Sequence, residues 1–170
     1  MAKFKDKTIN GATYAMGHLE DIVIQVQKGD ATFKVLVTYS CHCFTEELKP
    51  HHTPDFHYVH KHEKRAFCLV RHGLSHNLPN YIANLLGRPV YLTKQTNFFF
   101  IRSNGGNYVV FFALRPARNP RYDAILTVQS AHLRTNFTRK AQPVTFDDLV
   151  EAKVKNTPVT PGRKQTIKRS

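Results

Sequence analysis

The stretch NFFFIRSNGGNYVVFFALR, residues 97–115, decides the fold. Two runs of aromatic and β-branched residues flank Asn104-Gly105-Gly106-Asn107, and such runs around a glycine turn read as paired antiparallel strands. With Gly105 and Gly106 as the turn centre, alternation puts Phe98, Phe100 and Arg102 on one face with Val109, Phe111, Ala113 and Arg115. Two arginines then border a phenylalanine face.

Working outward, PVYLT (89–93) and YDAILTVQSAHL (122–133) extend the pair to a four-stranded antiparallel meander. Ahead of it, SHNLPNYIANLLG offers Ser75 or Asn77 as N-cap, Pro79 in the first turn, a Leu78, Ile82, Leu85 and Leu86 stripe, and Gly87 as terminator. Residues 21–40, DIVIQVQKGDATFKVLVTYS, read as a β-hairpin turning at Lys28-Gly29-Asp30. A second helix over 146–153 starts from Thr145, with Asp147 and Asp148 favourably placed at its positive end. The reading is α+β: a mainly antiparallel sheet, N-terminal hairpin plus meander, with one or two short helices on a face.

The chain has 170 residues, enough for one core and too few for two, so residues 1–152 are read as a single domain. Its 41% hydrophobic content, with 12 Phe and 7 Tyr, excludes a merely disordered basic chain. Lys and Arg number 25 against 12 Asp and Glu, a formal +13 that favours a polyanionic partner. Six of those charges belong to residues 153–170, whose two prolines, glycine and sparse apolar content predict a flexible basic tail. Between Arg102 and Lys140 seven basic residues face one acidic residue, Asp123. The N-terminus lacks the apolar stretch of a secretory signal, and no window is long enough for a membrane span. Three cysteines suggest no disulfide framework, so the expected location is cytoplasmic.

Residues 41–64 lose apolar periodicity and are read as a His- and Cys-rich loop. Cys41, Cys43, His51 and His52 are one candidate zinc set, which would make the chain a zinc-stabilised adaptor. Strand alternation turns Cys41 and Cys43 to opposite faces and works against it, and no cofactor is expected. The spacing Arg71-x4-His76 resembles the catalytic motif of HEPN ribonucleases, which are helical; in this strand-rich chain Ser75 reads as a helix cap.

The last strand of the meander, by simple alternation, carries Leu126, Val128, Ser130, His132 and Arg134 on one face. Metal-free RNA cleavage needs a base for the 2′-hydroxyl, an acid for the leaving oxygen and cations for the transition state. His132 suits acid or base, Arg102 and Arg134 the stabilisers, and Ser130, Tyr91 or His42 the remaining positions. Arg71, Arg115, Arg118, Arg121, Arg139 and Lys140 are the expected nucleic-acid contacts. A noncatalytic RNA- or ribosome-binding module using the same arginines and exposed aromatics is the alternative.

A helix followed by such a meander over residues 75–134, with Arg, His, Tyr and Ser side chains spread on the strands, resembles the ribonuclease superfamily of barnase, EndoU, colicin-type tRNA nucleases and RelE-like toxins. The blocks SCHCFT, NFFFI and VQSAH are also similar to proteins of bacterial mobile elements. The superfamily resemblance implies metal-independent RNA cleavage, often by a toxin with an antitoxin or immunity protein as partner, while the lack of an apolar span gives the expectation of no membrane association.

Overall fold

A computed structural model describes residues 2–169. It is a mixed α+β fold whose sheets are mostly antiparallel. In chain order the strands are β1 (Lys7–Ile9), β2 (Ala12–Tyr14), β3 (Ile22–Lys28), β4 (Ala31–Tyr39), β5 (Thr45–Glu46), β6 (His57–His60) and β7 (Glu63–Phe67). After helices α1 (Leu69–Ser75) and α2 (Leu78–Ala83) come β8 (Pro89–Leu92), β9 (Asn97–Ser103), β10 (Gly106–Pro116), β11 (Ala124–Arg134) and β12 (Phe137–Thr145). Helix α3 (Phe146–Lys155) and strand β13 (Gln165–Arg169) follow.

Eight strands form the principal sheet in the order β13-β12-β8-β9-β10-β11-β4-β3. All neighbours are antiparallel except β11 and β4, which run parallel with Val128 opposite Tyr39. On one face Val35, Val37, Val110, Phe112, Leu126 and Val128 meet Phe146, Leu149 and Val150 of α3 and Leu78 and Ile82 of α2. Burying that apolar stripe is what holds α3 to the sheet, since a helix of this length is marginal alone. Its start is set by Thr145, whose hydroxyl accepts from the Asp148 amide at 3.4 Å. Its end is Asn156 in the left-handed conformation, φ 52°.

Residues 41–64 are not one irregular loop. The chain turns tightly at Cys41–Cys43, and β5 and β6 both pair with β7 in a three-stranded sheet. The aromatic cluster of Phe4, Phe44, Tyr58 and Phe67 closes it, with Phe4 edge-on to Phe44 at 5.0 Å. Burial of those rings outweighs the local His, Pro and charge content that reads as loop. Residues 153–170 are likewise not structureless: α3 continues to Lys155 and β13 pairs with β12, placing Ile167 opposite Arg139. That strand is held by residues more than 20 positions away, which a local compositional reading does not register. Among the described residues no helix is long and apolar enough to cross a membrane.

The decisive irregularity lies in β11. Phe111 is opposite Ser130 but Phe112 is opposite Val128, so Gln129 is an extra residue, a β-bulge. It sits where β4 stops pairing: the Ser40 amide donates to Val128 O at 3.0 Å and the Ser40 hydroxyl to Gln129 O at 2.6 Å. An inserted residue reverses alternation beyond it. Leu126 and Val128 therefore face the α3 core, whereas Ser130, His132 and Arg134 face the opposite side. The expectation that all five share one face is corrected by this bulge.

Candidate functional site

The second face of the sheet has its own small core of Phe98, Val109, Phe111, Phe137, Ala141 and Ile167, flanked by Tyr91 and Phe100. It exists because β12 pairs with β8 through its C-terminal half and with β13 through its N-terminal half. The turn between β9 and β10 is one residue earlier than glycine spacing suggests, with Ser103 opposite Gly106. Because that moves the pairing by two, the predicted face is preserved. Cross-strand rows then run Arg102–Asn107–Arg134, Phe100–Val109–His132 and Phe98–Phe111–Ser130. Gly106 is required here: with φ +142°, a β-carbon would lie 2.5 Å from Arg134 O.

Arginines lie over the phenylalanines. The Arg134 guanidinium is 5.4 Å from the Phe111 ring centre and 5.7 Å from that of Phe137, Arg139 is 5.4 Å from Phe111, and Arg169 is 4.9 Å from Phe100. Stacking fixes each guanidinium plane while leaving its N–H edge able to reach an anion. Among the described residues no arginine forms an ion pair with a carboxylate.

His132 stacks on Phe111 with ring centres 6.0 Å apart, and its Nε2 accepts from Arg134 Nε at 2.8 Å. The ring proton is thereby assigned to Nδ1, which is buried and has no protein partner. Burial first, then the charges of Arg71 and Arg134, push the imidazole down to about 4, so it is neutral at pH 7. Burial and the fields of Arg139 and Arg71 also lower Arg134, which stays charged. Beside them Asn107 is fully buried with neither amide atom hydrogen-bonded by protein.

The other predicted residues divide. Arg102 is exposed at the rim and Ser130 half-buried on this face, and Tyr91 stacks on Phe98 and Phe100 at 5.2 and 5.6 Å. The His42 side chain does not join them; its Nε2 lies 2.6 Å from Glu63. Arg71, on α1, is tied down, donating to Thr45 O at 2.6 Å and His42 O at 3.4 Å, and its charge acts on His132. Lys140 points away from Arg139, beside a cavity of about 260 Å³ with Lys94 and Lys164. Arg115, Arg118 and Arg121 are exposed at the far end of β10 and in the loop after it, roughly 25 Å along the strand from Asn107. The expected contact surface is thus two patches. Sequence reasoning missed Arg169 and Asn107; alternation around Ile167 in QTIKR is the signal that could have found the first.

The zinc set Cys41, Cys43, His51 and His52 does not assemble. Cys43 is buried with Sγ directed at Val128 O, 3.9 Å away, and His52 is held by Lys49 N and Glu46. The His51 and His52 rings instead lie tilted against each other, with centres 4.2 Å apart. Among the described residues, metal-ligating atoms converge in two other groups, Cys41–His42–Glu63 and His18–His72–His76.

The sequence model described as the YjaZ family matches residues 6–154, which includes the bulged strand and ends before β13. No curated protein and no solved structure matches the chain.

Proposed function

The chain belongs to the YjaZ family, and we infer that this member binds RNA through the second face of its sheet. The observation that carries the reading is the set of arginines, Arg102, Arg134, Arg139 and Arg169, that among the described residues has no carboxylate partner and is partly stacked on Phe100, Phe111 and Phe137. Uncompensated guanidiniums on an aromatic platform suit a flexible polyanion whose bases also stack. RNA is favoured over duplex DNA because a sheet face carrying aromatic rings meets splayed bases, whereas duplex readout uses a helix or ribbon in a groove. Arg115, Arg118 and Arg121 form a second contact point for a longer strand.

Metal-independent cleavage at this face is the second reading, and one observation favours it. His132 is a neutral imidazole hydrogen-bonded to the Arg134 guanidinium and within the field of Arg71, which brings together the base and the cations that cleavage at the 2′-hydroxyl uses. Its Nε2 lone pair is engaged by Arg134, so a base role requires substrate phosphate to draw Arg134 away. A toxin of this type would be held in check by an antitoxin covering the same arginines.

The experiment is fluorescence anisotropy with an end-labelled, 20-nucleotide single-stranded RNA, titrated across salt concentrations with 1 mM EDTA present, with gel analysis of the same samples. Binding should weaken with salt, and Arg134→Gln, Arg139→Gln and Arg169→Gln should each reduce the logarithmic salt slope by about 0.7. No salt-dependent binding by the unaltered protein overturns the RNA reading. Products that appear in EDTA and vanish with His132→Ala would establish cleavage; intact RNA under full binding leaves binding alone.

A further inference from the structure

Away from the arginine face, His72 and His76 lie four residues apart on one side of α1 and its C-cap, a spacing that stacks two side chains over successive turns. His18, from the short turn Gly17–Leu19 after β2, packs between them. Its ring centre is 3.8 Å from that of His76 and 5.3 Å from that of His72. One nitrogen from each of the three rings lies within 4.8 Å of the others, with no Cys, Asp or Glu in the group.

Hydrogen bonding around the cluster settles which nitrogens can take part. The Ser75 hydroxyl donates to His72 O at 2.7 Å, so its oxygen accepts from His18 Nε2 at 2.7 Å. His18 therefore carries its proton on Nε2 and leaves a bare lone pair on Nδ1, which is buried and has no protein partner. His72 Nε2 is 3.0 Å from Ala15 O, an acceptor only, so it too is the protonated nitrogen and Nδ1 carries the lone pair. The half-buried His18 and the buried His72 are thus each held in one tautomer, by a serine and a backbone carbonyl, the arrangement that orients metal-ligating histidines. His76 is exposed and able to turn its ring toward the other two.

We propose that His18, His72 and His76 form a zinc site with three imidazole ligands and a fourth position open to solvent on the His76 side. The buried, unpartnered Nδ1 of His18 costs free energy in the apo protein, and a cation bound by the three rings removes that cost. An all-imidazole set suits zinc rather than calcium or magnesium, which take oxygen ligands. Three protein ligands with an open position is the coordination of zinc centres that bind and activate water. The site is independent of the arginine face and ties the N-terminal turn to α1.

The test uses the untagged full chain, stripped with chelator, titrated with Zn(II) and separately with Co(II). One ion per chain is expected, with the intense visible absorption of four-coordinate Co(II) and a rise in melting temperature on adding Zn(II). His76→Ala, at an exposed position that leaves the core intact, and His18→Asn should each weaken binding on the order of 100-fold. Ser75→Ala, which removes only the group orienting His18, should weaken it about tenfold. Binding weaker than about 100 μM in the unaltered chain overturns the proposal, as does affinity unaffected by His76→Ala. Loss of the ion with His42→Ala but not with His76→Ala overturns it as well, by assigning the ion to Cys41, His42 and Glu63 instead.

Discussion

Arg134 donates from Nε to Nε2 of His132, 2.8 Å away and two residues earlier on the same face of β11. A cation that donates to an imidazole needs that imidazole neutral, and the pair sits where burial enforces the same state. Both residues owe this setting to the bulge at Gln129, which turns them off the α3 core.

The depressed His132 pKa makes a prediction about acid. The folded value is about 4 against an ordinary value of 6.5, so the unfolded chain takes up the proton first as pH falls. The stabilisation is fully present above pH 6.5 and is lost progressively down to about pH 4. Urea unfolding over that window should show His132→Phe, which keeps the stack on Phe111, losing about 1–3 kcal/mol less stability than the unaltered protein. Superimposable acid profiles would remove the burial argument.

Ser40 holds the bulge by donating from its amide to Val128 O and from its hydroxyl to Gln129 O. Ser40→Ala should cost about 1 kcal/mol in denaturant unfolding. Deleting Gln129 leaves Phe111 opposite Ser130 and Phe112 opposite Val128 in an unbulged ladder, so His132 and Arg134 keep their face and cooperative unfolding is expected to survive. Loss of cooperative unfolding on that deletion would contradict the assigned register, because only in an unbulged strand does removing Gln129 turn His132 and Arg134 into the α3 core.

Gly106→Ala places a methyl group 2.5 Å from Arg134 O at a φ of +142°. Strain of about 2 kcal/mol or more is expected, visible as a lower melting temperature. RNA affinity should fall as well, because the carbonyl that must move belongs to Arg134. An alanine variant as stable as the parent would refute the close approach.

β13 is an edge strand pinned by Ile167, which is 5% exposed. Ile167→Asp should detach it without unfolding the main sheet, since the α3 core lies on the other face. Hydrogen exchange should then quicken at Arg139 and Ala141, and RNA affinity should drop about as far as with Arg169→Gln. Unchanged exchange in β12 would argue against the pairing.

The sequence by itself determined the mixed α+β class, the apolar strands on either side of Asn104 and Gly105, and α3 with its Thr145 cap. Each of these is written in residues within a few positions of one another: alternation, a turn glycine, a capping hydroxyl. It also placed Arg102, Ser130, His132 and Arg134 on neighbouring strands. Only the tertiary structure decided which way those side chains face, because the Gln129 bulge depends on Ser40, 89 positions earlier. It alone brought Arg169 over Phe100 and gathered His18 with His72 and His76. The physical reason is common to all three. Pairing and burial between distant segments outweigh local propensity, and no local pattern of residues records which distant partner a strand or turn will meet.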